Sequence, residues 1–386
     1  MNILVFGSGM YVTGRGGSGL GTLLSGIFQF AKSHRLETRL TIVSASPTSK
    51  SAVDQACQRL KSLLKVSPTH RFIPIDEVGN IDHFVRTNKF DAVFIATPDN
   101  LHYKYISLAL ESRVPVFVVK PVVETYAEHI EIKSKAKELD AITHVDFHKR
   151  FDFQNTYVRR LVRSGRLGAC VSMTVDYSQR ISIPRDTFRG WASTTNPLQY
   201  LGVHYIDQFE FITGWVPVRC MAVGRRGHLV ELGVDTYDHV LGVVEWTDID
   251  SGKNCVQSLN CSWIDNLNST ALSEQNAVLT CERGRIELDQ KNRGILVTSD
   301  EGVESVNPYF GVYDEAALNS TDFKGYGYDS IESFLSRVKD GVTDLVLLNG
   351  DDDYLPTLEN TATSTLVIEC LNSSLSRQGT WVNCNG

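Results

Sequence analysis

The stretch ILVFGSGMYVTGRGGSGLGTLLSGIFQFAKSH, residues 3–34, decides how the chain begins to fold. ILVFG (3–7) is an apolar run of strand length, and GTLLSGIFQFAKSH (21–34) carries a helical pattern. Between them fall Gly7, Gly9, Gly14, Gly16, Gly17, Gly19 and Gly21. A glycine-rich loop that leaves a buried strand and enters a helix is the setting in which backbone amides approach a dinucleotide pyrophosphate. Gly7 and Gly9 stand at the strand end, where they make the tight turn and allow close approach, with Met10 next to them. The helix is expected to start only near Gly19 to Thr22, whose amides would face the pyrophosphate. MYVTGRGGSG (10–19) is then extra loop, carrying Gly14 and Arg15.

Outward from this stretch the same alternation continues. RLTIVSAS (39–46), RFIPI (71–75), DAVFIATP (91–98), VPVFVVK (114–120) and AITHVDF (141–147) read as strands. Helical patterns separate them at 51–65, 80–88, 100–112 and 123–140. Strands that are apolar throughout, divided by amphipathic helices, predict a doubly wound α/β domain with a parallel sheet. After a helix over 153–165 that stops at Gly165, the texture turns β-rich. Segments 169–181, 218–226, 237–246, 255–264, 277–289 and 294–299 follow with short turns, predicting a large, open, mainly antiparallel sheet. One helix interrupts them at 197–213, and a last one spans about 358–377. The expected division is 1–121 for the first domain and 122–386 for the second.

The 386 residues suit two domains, and 42% hydrophobic with 22% charged residues is the composition of a globular chain with a substantial core. A net charge of −7 argues against nucleic acid or an anionic membrane as partner. The eight cysteines are scattered with no C-x-x-C, so neither a metal site nor a redox dithiol is read. No charged segment leads into a long apolar run at the start, and no run is long enough to span a bilayer. A cytoplasmic location is expected.

Four places carry chemistry. The second strand ends in Ser44-Ala45-Ser46, followed by Thr48, Ser49 and Lys50, with no carboxylate. A carboxylate would repel a 2′-phosphate, whereas hydroxyls and a lysine accept one, so NADP is favoured over NAD. Next, Ala96, Thr97 and Pro98 end a parallel strand, where ligands bind in such sheets, and Asn100 and His102 open the following helix. Third, Lys120 ends an otherwise apolar strand, directly before Pro121. Partial desolvation there lowers its pKa and lets it act on a substrate hydroxyl. Last, in TTNPLQYLGVHYIDQFEFITGW (194–215), Asn196 caps a helix, Pro197 takes its first position and Gly214 ends it. Tyr200, His204 and Asp207 share one face, and a histidine there can exchange the proton of an alcohol. Gly202, inside the helix, implies close approach by a neighbour.

Taken in order, the glycine loop, ATPDNLH, VVKP, FHKRFD (147–152) and LGVHYID (201–207) resemble the Gfo/Idh/MocA oxidoreductases, the glucose–fructose oxidoreductase and inositol dehydrogenase family. The resemblance runs from residue 3 to the closing helix. It implies an N-terminal Rossmann domain and a C-terminal α+β domain whose open sheet makes a homodimer or homotetramer. It also implies hydride transfer between NAD(P) and a carbon of a sugar, cyclitol or nucleotide-sugar. Lys120 matches the lysine of the family's E-K-P motif, and His204 the acid/base histidine. Three features depart from the pattern: Val119 stands before the lysine where a glutamate is usual, Tyr200 stands where many members carry an aspartate, and the glycine loop is long. Tyr200 is expected to orient the catalytic pair. The residues around Gly14 to Gly19 are expected to fold over the pyrophosphate or reach the substrate. Arg150, Tyr177, Arg180, Arg185, Arg189 and Trp191 are candidates for the substrate pocket, and their charge points to an anionic sugar. Two other readings stay open: an NAD-dependent glycosidase of the same family, and a catalytically silent dinucleotide-binding regulator.

Overall fold

The computed structural model describes residues 1–14, 19–299, 302–314, 322–343 and 354–385. Two compact units are present: Met1–Val123 with Ala127–Asp152 and Tyr309–Asn360, and Glu124–Tyr126 with Phe153–Pro308 and Thr361–Gly386. The chain therefore passes between units several times, where a single boundary at 121 was expected. The reason is local. The sixth strand pairs with the fifth, and a helix from residues 326–340 returns to cover the first sheet.

The first unit is built on β1 (Asn2–Phe6), β2 (Arg39–Ser44), β3 (Thr69–Pro74), β4 (Ala92–Ile95), β5 (Val116–Val118) and β6 (Thr143–Val145). They run parallel in the order β3-β2-β1-β4-β5-β6. β4, β5 and β6 are buried along their whole length, as apolar runs between helical layers must be. The order reverses between β1 and β4, which puts a crevice at their carboxyl ends, the place where ligands enter such sheets.

The glycine loop occupies that crevice. Gly7 has φ +106°, and a Cβ on it would lie 2.1 Å from the Ala96 carbonyl oxygen. A short helix, α1 (Met10–Thr13), begins directly after Gly9, and the main helix α2 (Thr22–Ser33) resumes later. The expected start near Gly19 to Thr22 is thus the second of two. The backbone turns at Gly14, with φ +80°, and Gly21 lies so close to Val12 that a Cβ would sit 2.1 Å from its carbonyl oxygen. The expected role of Arg15 falls on 15–18, outside the described residues. Helices α3 (Ser49–Leu64), α4 (Ile81–Thr87), α5 (His102–Glu111) and α6 (Tyr126–Glu138) follow in the chain.

In the second unit, after α7 (Phe153–Arg163), come β7 (Cys170–Arg180), α8 (Val203–Thr213), β8 (Val216–Arg225), α9 (His228–Glu231), β9 (His239–Thr247), β10 (Asn254–Asp265), β11 (Ser273–Cys281) and β12 (Gly284–Asp289). β13 (Ile295–Ser299) and β14 (Gly302–Val306) form a separate two-stranded sheet. β15 (Val312–Asp314), β16 (Asp322–Lys324) and α10 (Tyr326–Asp340) belong to the first unit, and α11 (Ala362–Ser376) and β17 (Val382–Asn383) close the second. The large sheet has the order β12-β11-β7-β10-β9-β8-β17. It is mainly antiparallel as expected, but β7 and β10 run parallel, so it is mixed. The β-rich segment 277–289 falls on the hairpin of β11 and β12, and 294–299 lies outside this sheet. Burial alternates along β7, β9 and β10, so one face is covered while Val171, Leu241 and Val256 stay exposed.

Gly7 and Gly9 make a contrasting pair. Gly7→Ala combines a left-handed backbone with a clash against fixed backbone, a cost on the order of 3 kcal/mol or more. Gly9 has φ −72° and nothing within 4 Å of an added Cβ, so Gly9→Ala changes stability by less than about 0.5 kcal/mol. Urea denaturation of both variants checks this; equal losses would contradict the described turn.

Candidate active site

Lys120 lies two residues past β5. The Val119 amide donates to the Ile95 carbonyl at 3.0 Å, and the Asp146 amide to the Val118 carbonyl at 2.8 Å, so three strand ends are aligned around it. The Lys120–Pro121 peptide is cis. His102 is fully buried, with Nδ1 2.8 Å from the Pro121 carbonyl oxygen and Nε2 2.9 Å from that of Thr97. Carbonyl oxygens only accept, so the ring is the donor wherever it bonds to one of these turns. His102, a candidate for the cofactor site, bridges the Ala96-Thr97-Pro98 turn and the Lys120-Pro121 turn. Burial pushes the Lys120 ammonium down to about 8, against the opposing pull of the Asp99 and Asp146 carboxylates.

At the end of β2, the Ser44 hydroxyl lies 2.7 Å from that of Ser8, and the Ser46 hydroxyl 2.8 Å from that of Thr48. Lys50 pairs with Asp54 on the next helical turn, and this contact holds the Asp54 carboxyl below its usual range. These groups fit a dinucleotide. A glycine turn that backbone alone can fill sits in the β1–β4 crevice, Gly9 opens outward, and β2 ends in hydroxyls rather than a carboxylate.

The second unit presents His204 from α8. The Asn196 side chain accepts from the Gln199 amide at 2.9 Å, making the expected cap. Leu198–Gly202 is a π-helical turn, so the continuous α-helix expected over 197–213 is interrupted before Val203. A Cβ on Gly202 would lie 2.7 Å from Leu198 Cδ1 and 3.3 Å from Cys261 Sγ, which explains a glycine there. Gly214 ends α8 in the left-handed region. Arg163 donates through Nε to the Ile212 carbonyl at 3.2 Å and through Nη2 to that of Phe211 at 3.1 Å. A buried residue that sequence reading missed, Gln257 on β10, holds the Tyr205 carbonyl at 2.8 Å.

His204 is buried, with the Tyr177 ring 6.4 Å away, centre to centre. Tyr200 packs among Phe188 (4.8 Å), Trp263 (5.9 Å) and Trp191 (6.1 Å). Tyr177 with His204, and Trp191 with Tyr200, are therefore brought together as expected candidates. The arginines are dispersed. Arg180 donates to Ser269, and Arg185 pairs with Asp186. Arg150 is buried in the first unit and donates to the Asn360 carbonyl at 2.9 Å. Arg189 is exposed.

Three cysteines distant in sequence, Cys220, Cys370 and Cys384, converge in the second unit with their sulfurs within 4.8 Å of one another, all buried. The neighbouring thiols and burial push the Cys220 thiol strongly upward, so it stays protonated. Among the described residues no helix is long and apolar enough to cross a membrane.

Two family models match in sequence order. Residues 32–147 match the oxidoreductase family with an NAD-binding Rossmann fold, and 156–287 match the GFO/IDH/MocA C-terminal domain. The chain belongs to the GFO/IDH/MocA family. Within it, the chain is similar to D-glucoside 3-dehydrogenase of Escherichia coli strain K12, 29% identical over 34% of this chain and 38% of that protein. It is also similar to scyllo-inositol 2-dehydrogenase (NADP(+)) of Bacillus subtilis strain 168, 25% identical over 37% of this chain and 40% of that one. These alignments span well under half of the relatives' lengths. The crystal structure of scyllo-inositol dehydrogenase from Lactobacillus casei with bound NAD(H) and scyllo-inositol shares the GFO/IDH/MocA fold, with a TM-score of 0.67 and 16% identity over 100% of this chain and 99% of that one.

The lowered Lys120 pKa has a sign that stability reports. Between about 8 and the ordinary 10.5 the unfolded chain binds the extra proton, so stability rises with pH across that window. Below it the native state holds a desolvated charge at a cost on the order of 3 kcal/mol. Lys120→Met is accordingly more stable than the parent at pH 7, and the gap closes towards pH 10.5. Denaturation at pH 7, 8.5 and 10 measures it; a pH-independent gap would contradict the lowered Lys120 pKa.

Proposed function

We propose that the protein is an NAD(P)-dependent dehydrogenase moving a hydride between nicotinamide and a secondary alcohol of a sugar, cyclitol or nucleotide-sugar. The observation that carries this is the half-buried Lys120, its pKa lowered by desolvation, at the carboxyl edge of a Rossmann sheet whose glycine turn fits a dinucleotide. Gly7, Gly9, Met10, Gly14, Ser44, Ala96, Thr97, Pro98 and Lys120 hold the dinucleotide, with His102 fixing two of their turns. When bound, NAD(P) supplies the hydride acceptor or donor. Lys120 holds the substrate oxygen and polarises it. His204 takes the alcohol proton in oxidation and returns it in reduction, while Tyr177 supports its ring. Tyr200 and Trp191 offer an aromatic wall to a sugar face.

The hydroxyl-lined, carboxylate-free end of β2 supports NADP over NAD. Support for an anionic substrate rests on Arg189, since Arg150, Arg180 and Arg185 are engaged elsewhere. The exposed apolar residues of the large sheet, Val171, Leu241 and Val256, support a homodimer or homotetramer through that face. Eight free cysteines support a reducing, cytoplasmic setting.

Calorimetric titration of stripped protein with NADP+ and NAD+ tests the cofactor assignment. NADP+ should bind tighter, and Gly9→Ala should weaken both. A sugar and cyclitol screen then follows NAD(P)H absorbance. On a verified substrate, Lys120→Ala and His204→Ala should each lose about 10²- to 10⁴-fold in kcat. Near-native turnover in both variants, or no nucleotide binding, overturns the reading.

A further inference from the structure

The strand end that carries Lys120 is backed by a buried polar chain no motif announces. Arg337, on α10, places Nη2 3.0 Å from His144 Nδ1, and His144 Nε2 lies 3.0 Å from the Ser330 hydroxyl. Ser330 Oγ lies 2.9 Å from Asp146 Oδ1, and the Tyr11 hydroxyl donates to Asp146 Oδ2. His144, Asp146, Ser330 and Arg337 are all buried.

The direction of every bond follows from the chemistry of the ends. A guanidinium only donates, so His144 Nδ1 accepts. The proton of the neutral ring is then on Nε2, which donates to Ser330, and the serine hydroxyl is left to donate to the carboxylate. Burial, with Arg337 and Arg150 nearby, keeps His144 well below its ordinary pKa and so neutral, as this direction requires. Arg337 is fixed in turn by the Thr143 and Thr343 carbonyls, at 3.0 and 3.1 Å. One carboxylate thus gathers α1 of the glycine loop, α10 and the end of β6, with His148 Nδ1 3.6 Å from Oδ2.

We infer that Asp146 is a positioning residue for Lys120, held in place by the Arg337–His144–Ser330 chain and by Tyr11. It supplies, with Asp99, the negative charge beside the ammonium in a chain whose residue before the lysine is Val119. Because Tyr11 belongs to the turn after Gly9, the same carboxylate ties the dinucleotide loop to the lysine. The inference rests on the proposed role of Lys120 for its catalytic meaning, but not for its test.

The test is competitive acetylation of the intact protein with acetic anhydride across pH 6–11, reading the Lys120 peptide by mass spectrometry. In the parent the labelling midpoint should fall near 8. Asp146→Asn should lower it by about one pH unit, since a neighbouring opposite charge is lost. Ser330→Ala and Tyr11→Phe, which keep the charge but each release one carboxylate oxygen, should lower it by a fraction of that. Melting curves identify the folded variants, and a structural defect alone would lower stability without moving the midpoint. Unmoved midpoints in the folded variants overturn the inference. Turnover by Lys120→Ala is read separately: if it persists, the catalytic proposal fails while the labelling result stands.

Discussion

A single half-buried ammonium at the edge of a parallel sheet organises much of the first unit. Water cannot fully solvate it, so protein charge must stand near it, and those charges must be held by groups that stay in place. Asp99 comes from the turn after β4 and Asp146 from the end of β6, on either side of β5 in the sheet order. His102 locks the turns between them, and the Gly7 backbone passes close enough to Ala96 to exclude any side chain. The lysine, the glycine turn and the strand ends are one construction.

The second unit solves a different problem: keeping a histidine buried on a helix without freezing the helix face for packing alone. α8 is fixed at its start by Asn196, at its end by Gly214 with Arg163, and along its side by Gln257. The π turn before it widens the backbone where Gly202 meets Cys261, and this places Tyr200 among aromatic rings. Tyr200 thus stands in an apolar cluster where an aspartate would require polar partners.

Much of this was legible in the sequence. Six apolar strands with helical spacers specify a parallel sheet because burial on both faces leaves that pattern, and Lys120 stood out as a charge ending such a strand. Asn196, Pro197 and Gly214 marked the helix carrying His204 because caps are local chemistry. What escaped was non-local. Ser330 lies 184 residues from Asp146, and no period links them. The parallel pairing of β7 with β10 depends on which strands meet, and alternation is the same for either direction. His102 sits at a ligand edge in sequence, and only the fold brings the Thr97 and Pro121 carbonyls to its ring. The arginines before α8 looked like one cluster in sequence but point to separate partners.

The first unit is assembled from three lengths of chain, and this shapes how the protein is made. As the ribosome extends the chain, the six strands are complete by Val145, yet α10, with Ser330 and Arg337, is not. His144 and Asp146 wait without their partners, and Phe117 and Phe94 without Phe334, which covers both. At roughly 5–20 residues per second, that interval lasts on the order of ten seconds or more. During it most of the second unit emerges and an unfinished apolar face stays open, the period in which this chain has most to gain from a chaperone.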